Sequence, residues 1–196
     1  MKTTIKILAA LAVMMGFSMS VMGQGAQSDN KNITAKAQVI KQLSVTAGSD
    51  LSFGMVTQNV SKTIGNNGSI LAGTAGTGSV NVGAESVGTF TISKGANTAV
   101  TLDFTLPTEL KTTTNATLPI NFADFSGNKL AKLTGGTADY PFTPGTGAGA
   151  LSIGTGTGNY YTIESFTVNI GGTVVPITTQ EQGEYTGTIT LTATYN

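Results

Sequence analysis

The chain contains no cysteine, no histidine, no arginine and no tryptophan. Each absence removes a class of chemistry. Without cysteine there is no thiolate nucleophile, no disulfide and no sulfur-ligated zinc. Without histidine the commonest general base and the commonest metal ligand are gone. A nucleic-acid binder needs a basic footprint, usually with arginine in it, whereas here ten lysines face ten carboxylates. A serine nucleophile needs a lysine or carboxylate as its base, and no motif sets one beside a serine. The acids are scattered singly apart from Glu181 and Glu184, which flank Gln182-Gly183 and read as solvated turn residues. Asp124-Phe125-Ser126-Gly127-Asn128 is rich in oxygen but lacks the ligand series of a calcium loop. The GTGTG run at 154–158 lacks the Gly-Lys-Ser/Thr ending of a phosphate-cradling loop. A pair of glycosidase carboxylates assembled from distant strands is the one enzymatic arrangement left open. The expectation is a non-enzymatic protein with no cofactor, no metal and no nucleic-acid partner.

The first residues, MKTTIKILAALAVMMGFSMSVMGQG, have the layout of a secretory signal. Lys2 and Lys6 give a positive start, Ile7 to about Met22 is apolar, and Val21 and Gly23 suit the positions before a cleavage site. The apolar run is shorter than the roughly 20 residues a membrane helix needs, and Gly16, Ser18 and Ser20 interrupt it. We therefore expect residues 1–23 to be removed, a polar segment over 24–31, one domain over 32–196 and no membrane anchor after cleavage. Export to the periplasm, the cell surface or the medium follows. Loss of Lys2 and Lys6 leaves eight lysines against ten acids, a balance of −2. A mature chain of roughly 170 residues buries about two-thirds of its unfolded surface, so it needs no disulfide on grounds of size.

What is abundant is glycine, at 26 residues, and threonine. Through them runs a period of two. Val100, Leu102, Phe104 and Leu106 alternate with Thr101, Asp103 and Thr105. Phe90 and Ile92, Leu118, Ile120 and Phe122, and Phe166, Val168 and Ile170 repeat it, and Val80 and Val82 flank Asn81. Successive side chains of a strand project to opposite faces, so each run lays an apolar row on a core. Turn residues bound the runs: Lys94-Gly95-Ala96-Asn97, Leu106-Pro107, and Gly171-Gly172, which reads as a tight hairpin. No segment of the mature chain has a helical apolar period. The fold class expected is an all-β, Ig-like sandwich with Greek-key connections. Two Gly-rich stretches, 65–78 and 143–159, read as long surface loops.

The two ends of the mature chain stand out. At the C-terminus, Ile189, Leu191, Ala193 and Tyr195 alternate with Thr188, Thr190, Thr192 and Thr194 without a slip, following Gly183 and Tyr185. At the N-terminus, Ile33, Ala35, Ala37 and Val39 alternate with Thr34, Lys36 and Gln38. Ile40 and Lys41 break the pattern, and Leu43, Val45 and Ala47 resume it in phase. Residues 32–48 are thus one long strand facing two neighbours, or two strands at 32–40 and 42–48. The LSFG at 51–54, the GGTVVPI at 171–177 and the closing GEYTGTITLTATYN resemble the bacterial domain of unknown function 4402 family. That family is in turn similar to spore-coat-U-like pilins and to chaperone–usher pilus subunits, whose terminal strand has tyrosine next to last and glycine fourteenth from the end. Tyr195 and Gly183 hold those places here.

The resemblance implies a pilin-like structural or adhesive surface subunit whose sandwich is completed by a neighbour's N-terminal strand. It makes Ile33, Ala35, Ala37 and Val39 the candidate donor strand. The candidate groove runs along Gly183, Tyr185, Ile189, Leu191, Ala193 and Tyr195. The partners it implies are copies of the chain or related subunits, with a periplasmic chaperone and an outer-membrane usher. The alternative is a self-complete, monomeric secreted module whose Gly-rich loops contact a glycan or host surface, with Tyr140, Tyr160 and Tyr161 available to stack on a sugar.

Overall fold

The computed structural model describes residues 29–73 and 84–196. The expected signal segment, the start of the polar stretch after it and the strand expected at Val80 and Val82 lie outside these residues. Within them, residues 29–38 belong to one unit and 39–196 form another. Residues 29–38 have no regular secondary structure. Asp29 and Lys31 form an ion pair at 2.8 Å, and Ile33 is 95% exposed.

The second unit is all-β. Its strands in chain order are β1 (Ser44–Ala47), β2 (Ser52–Phe53), β3 (Lys62–Ile64), β4 (Ile70–Gly73), β5 (Glu85–Ser86), β6 (Gly88–Ser93), β7 (Val100–Thr105) and β8 (Glu109–Lys111). They continue with β9 (Thr117–Asn121), β10 (Ala131–Thr134), β11 (Tyr140–Phe142), β12 (Leu151–Ile153), β13 (Ser165–Ile170), β14 (Gly172–Val174) and β15 (Thr190–Tyr195). Among the described residues the sheet orders are β1-β6-β13-β10-β11, β12-β7-β15, β4-β3-β14-β9-β8 and the pair β2-β5. The pairings are antiparallel.

The apolar alternation places the core. Val100, Leu102 and Phe104 on β7 are fully buried, as are Val168 and Ile170 on β13, and Leu118 and Ile120 on β9 nearly so. They join Leu133, Ile153, Val174 and Leu191 in one cluster drawn from all three larger sheets. Phe104 of β7 meets Phe142 of β11 at 5.8 Å between ring centroids, which ties the β12-β7-β15 sheet to the β1-β6-β13-β10-β11 sheet. The β6–β7 connection is the turn expected from Lys94-Gly95-Ala96-Asn97, with Asn97 at φ 54. Lys94 is fully buried inside that turn. Its ammonium donates to the carbonyls of Gly95 at 3.1 Å, Thr98 at 3.2 Å and Tyr161 at 2.8 Å. Burial pushes its pKa down, against the opposing charge of Glu164.

Five sequence expectations are corrected. Gly171-Gly172 is not a hairpin: β13 lies in the first sheet and β14 in another, so the chain changes sheets at Gly171. Its N–H donates to the Leu130 carbonyl at 2.7 Å, and a Cβ there would overlap the carbonyl oxygen of Ile64. Glycine is required for close backbone approach, not for a turn. The stretch 143–159 is not all loop, because β12 lies within it and pairs along β7. Beside it Tyr160 is 1% exposed and donates its hydroxyl to the Leu133 and Ala138 carbonyls, both at 2.8 Å, so its ring is not free to stack on a sugar. Within 65–78, Ile70–Gly73 forms β4 against β3, and residues 74–78 lie outside the description.

The remaining correction concerns both ends. Residues 32–40 form no strand, and pairing begins only at Ser44. The C-terminal ladder begins at Thr190, later than the alternation from Thr188 suggests. Its partner β7 stops at Thr105, and Pro107 beyond it has no N–H to extend the ladder.

Candidate functional site

From Tyr185 to Tyr195 the odd-numbered residues turn inward. Leu191 is buried and Tyr185, Ile189, Ala193 and Tyr195 are half-buried, while Thr188, Thr190, Thr192 and Thr194 are exposed. The backbone bonds of this segment go to one side. Thr186 exchanges hydrogen bonds with Lys111 on β8 at 2.8 and 2.9 Å, and Asn196 donates to the Ala99 carbonyl at 3.1 Å. Between them β15 pairs with β7. An antiparallel ladder bonds every second residue, so the even-numbered residues face β8 and β7. The N–H and C=O groups of Leu191, Ala193 and Tyr195 point the other way. Among the described residues they have no backbone partner. Phe104, opposite Leu191, fixes the phase independently, since its N–H turns away from β15 to the Gly145 carbonyl at 3.1 Å.

β1 offers the facing edge. Gly48 donates to the Thr89 carbonyl and Thr89 to the Ser49 carbonyl, so two residues stand opposite one in a bulge. The same phase leaves the backbone groups of Val45 and Ala47 on the outer side of β1. β1 and β15 lie close together without sharing a ladder. At one end the gap between them is clasped shut. Tyr195 donates its hydroxyl to the Lys41 carbonyl and accepts the Gly95 N–H, both at 2.7 Å. At the other end it opens into a cleft of about 920 Å³, lined by parts of 47–58 and 180–189. Core residues come to the surface there, among them Leu51, Phe53, Phe90, Leu110, Ile120 and Ile189.

Polar contacts hold the two lips. On one, Lys62 pairs with Glu85 at 2.5 Å and donates to the Met55 carbonyl at 3.1 Å, with the paired side chains only 7% and 11% exposed. The hydrogen bond from Lys62 holds the Glu85 carboxyl below its usual range. On the other lip, Gln180 Nε2 donates to the Thr117 carbonyl at 2.9 Å and to the Tyr185 hydroxyl at 2.6 Å, and that hydroxyl donates to the Glu181 carbonyl at 2.7 Å. These bonds fix which way the amide points. Gln180 Oε1 is buried and has no hydrogen-bond partner among the described residues. Around the mouth stand exposed carboxylates: Asp50 on the first lip, Glu181 and Glu184 on the second.

Of the residues singled out in the sequence, Gly183, Tyr185 and Ile189 line the cleft, whereas Leu191, Ala193 and Tyr195 continue along the free edge beyond it. Ile33, Ala35, Ala37 and Val39 are exposed. The opposite wall was missed. Leu51 and Phe53 stood within LSFG and Phe90 within an alternating run, but nothing in their spacing shows that both face one opening. Among the described residues there is no cluster of three or more metal-ligating side chains, and no helix is long and apolar enough to cross a membrane.

Fold and cleft together define a class: an antiparallel β-sandwich whose C-terminal strand has an unpaired edge beside a cleft that reaches the core. Residues 43–195 match the family described as Domain of unknown function (DUF4402), and the chain belongs to that family. The match begins one residue before β1 and ends with β15, so it covers the sandwich and leaves out 32–40. No curated protein and no solved structure matches the chain.

Proposed function

We propose that this is a non-enzymatic, exported structural or adhesive surface protein, a pilin-like subunit that assembles by strand addition. In this reading residues 32–40 of one copy add to the free C-terminal edge of the next, with Ile33, Ala35, Ala37 and Val39 turned into the opening. The observation that carries it is the unpaired outer edge of β15, continued by residues 185–189 along a cleft into which core residues open. Bare strand edges recruit other chains, and main-chain hydrogen bonds give strand addition its affinity. The segment from 185 to 195 is eleven residues, roughly 36 Å at about 3.3 Å each, and a nine-residue donor of roughly 30 Å is long enough to run along most of it. Ile33 and Val39, 95% and 94% exposed, are the apolar groups that gain most, at about 1.5–3 kcal/mol for each one fully buried. Head-to-tail contacts of this type build open filaments when their rotation does not close. A periplasmic chaperone and an outer-membrane usher are the further partners this reading implies.

The test compares residues 24–196 with a version starting at Gln42, by size-exclusion chromatography and on SDS gels with and without heating. A heat-labile ladder that disappears in the shorter form is the expected result. A sharp monomer that unfolds cooperatively refutes strand addition and leaves the self-complete secreted module, whose loops then become the surface to probe.

A further inference from the structure

We infer that the register of the incoming strand is set by charge: Lys36 of one copy is received by the acidic mouth formed by Asp50, Glu181 and Glu184 of the next. The inference rests on the strand-addition reading and adds to it where on the edge the strand sits. Lys36 is the only charged residue between 32 and 40, and it lies midway along the segment, on the face opposite Ile33, Ala35, Ala37 and Val39. When the apolar row enters the cleft, Lys36 therefore points out of it, between the lips. Those lips are acidic on both sides, and among the described residues the three carboxylates make no ion pair, unlike Asp124, Asp139, Glu85, Glu109 and Glu164. The same wall carries the buried, donorless Gln180 Oε1, an acceptor suited to an N–H of an added chain.

The geometry also excludes the other half of the edge. Near Tyr195 the clasp to Lys41 and Gly95 already occupies the space between β1 and β15. A strand centred on Leu191–Tyr195 must break it, whereas one centred near Glu184–Ile189 enters the open cleft and meets the acids. The occupant is thus a second copy's 32–40 segment, seated over the 180–189 half. Complementary charge chiefly sets register and association rate, so the effect is read in assembly kinetics and their salt dependence.

Charge exchange tests this in the 24–196 chain. Lys36→Glu alone, and Glu181→Lys with Glu184→Lys, are each expected to slow assembly about tenfold, and combining all three is expected to restore it. Wild-type assembly is expected to slow between about 50 and about 500 mM salt. A second measurement uses the natural lack of cysteine. Lys36→Cys with Glu184→Cys should give an oxidised, reducible intermolecular ladder, and Lys36→Cys with Asp139→Cys should not. If the wild type assembles but the triple variant stays slow, or both cysteine pairs crosslink equally, the charge register is wrong and strand addition stands. If the wild type does not assemble at all, both readings fall.

Discussion

Replacing Gly171 by alanine should be among the most damaging single-methyl changes in this protein. A Cβ at this position would overlap the Ile64 carbonyl oxygen and come within 2.9 Å of both the carbonyl carbon and oxygen of Gly65. All three are backbone atoms, at the last residue of β3 and the residue after it, so no side-chain rotation relieves the contact. Overpacking of this type costs about 1–3 kcal/mol and sometimes more. Displacing residue 171 also weakens its 2.7 Å bond to Leu130, at about 1 kcal/mol. Reduced freedom of the unfolded chain returns about 0.4–1 kcal/mol. The net expectation is a loss of about 2 kcal/mol, or roughly 4–8 °C in Tm for a domain of this size. Gly172→Ala is the control. Its Cβ would meet only side-chain atoms of Phe53, Leu51 and Phe122 at 3.3 to 3.4 Å, contacts that small shifts accommodate. Urea unfolding of both variants decides the matter. A Gly171→Ala protein within about 1 kcal/mol of wild type, or a Gly172→Ala protein equally damaged, would refute the crossing of β13 into β14 at this residue.

Two further outcomes follow from buried charge. Lys94→Met should destabilise by about 2–4 kcal/mol, because it leaves the Gly95, Thr98 and Tyr161 carbonyls without their shared donor; chemical denaturation measures it. Glu85 has a lowered pKa when folded, so its contribution is present above the ordinary carboxylate range and lost as pH falls through that range and then through the lowered value. Thermal melts of wild type should therefore fall from about pH 5 downward, and Lys62→Met should flatten that dependence.

The sandwich was legible because its strands obey a period of two with little exception. Val100 to Thr105 and Phe166 to Ile170 could be assigned a buried face from spacing alone, and the structure buries those residues. What was not legible depended on partners. Gly171-Gly172 carries the same two letters whether the chain turns back or crosses to another sheet, and only the nearness of Ile64 distinguishes them. β12 hides among glycines because three residues, Leu151 to Ile153, suffice once β7 supplies an edge. At the candidate site, one wall was visible in the alternation from Tyr185 to Tyr195. The other combines Leu51, Phe53 and Phe90, which are far apart in sequence from that wall and are joined to it only by the antiparallel approach of β1 and β15.

The clasp at Tyr195 has a mechanical side. The chain enters the sandwich at Lys41, where Tyr195 also holds Gly95, so the start of this unit, the last strand and the β6–β7 turn share one anchor. A pull on the N-terminal segment reaches that anchor first and β1 second. β1 is bonded along its whole length to β6, so tension along its axis loads the ladder bonds side by side and not one after another. Force arriving at Lys41 can pass directly into β15 and along it toward the 180–189 segment that receives the neighbour in the proposed fibre, without crossing the Gly-rich loops. Those loops can then vary in length and composition while the line of load stays the same.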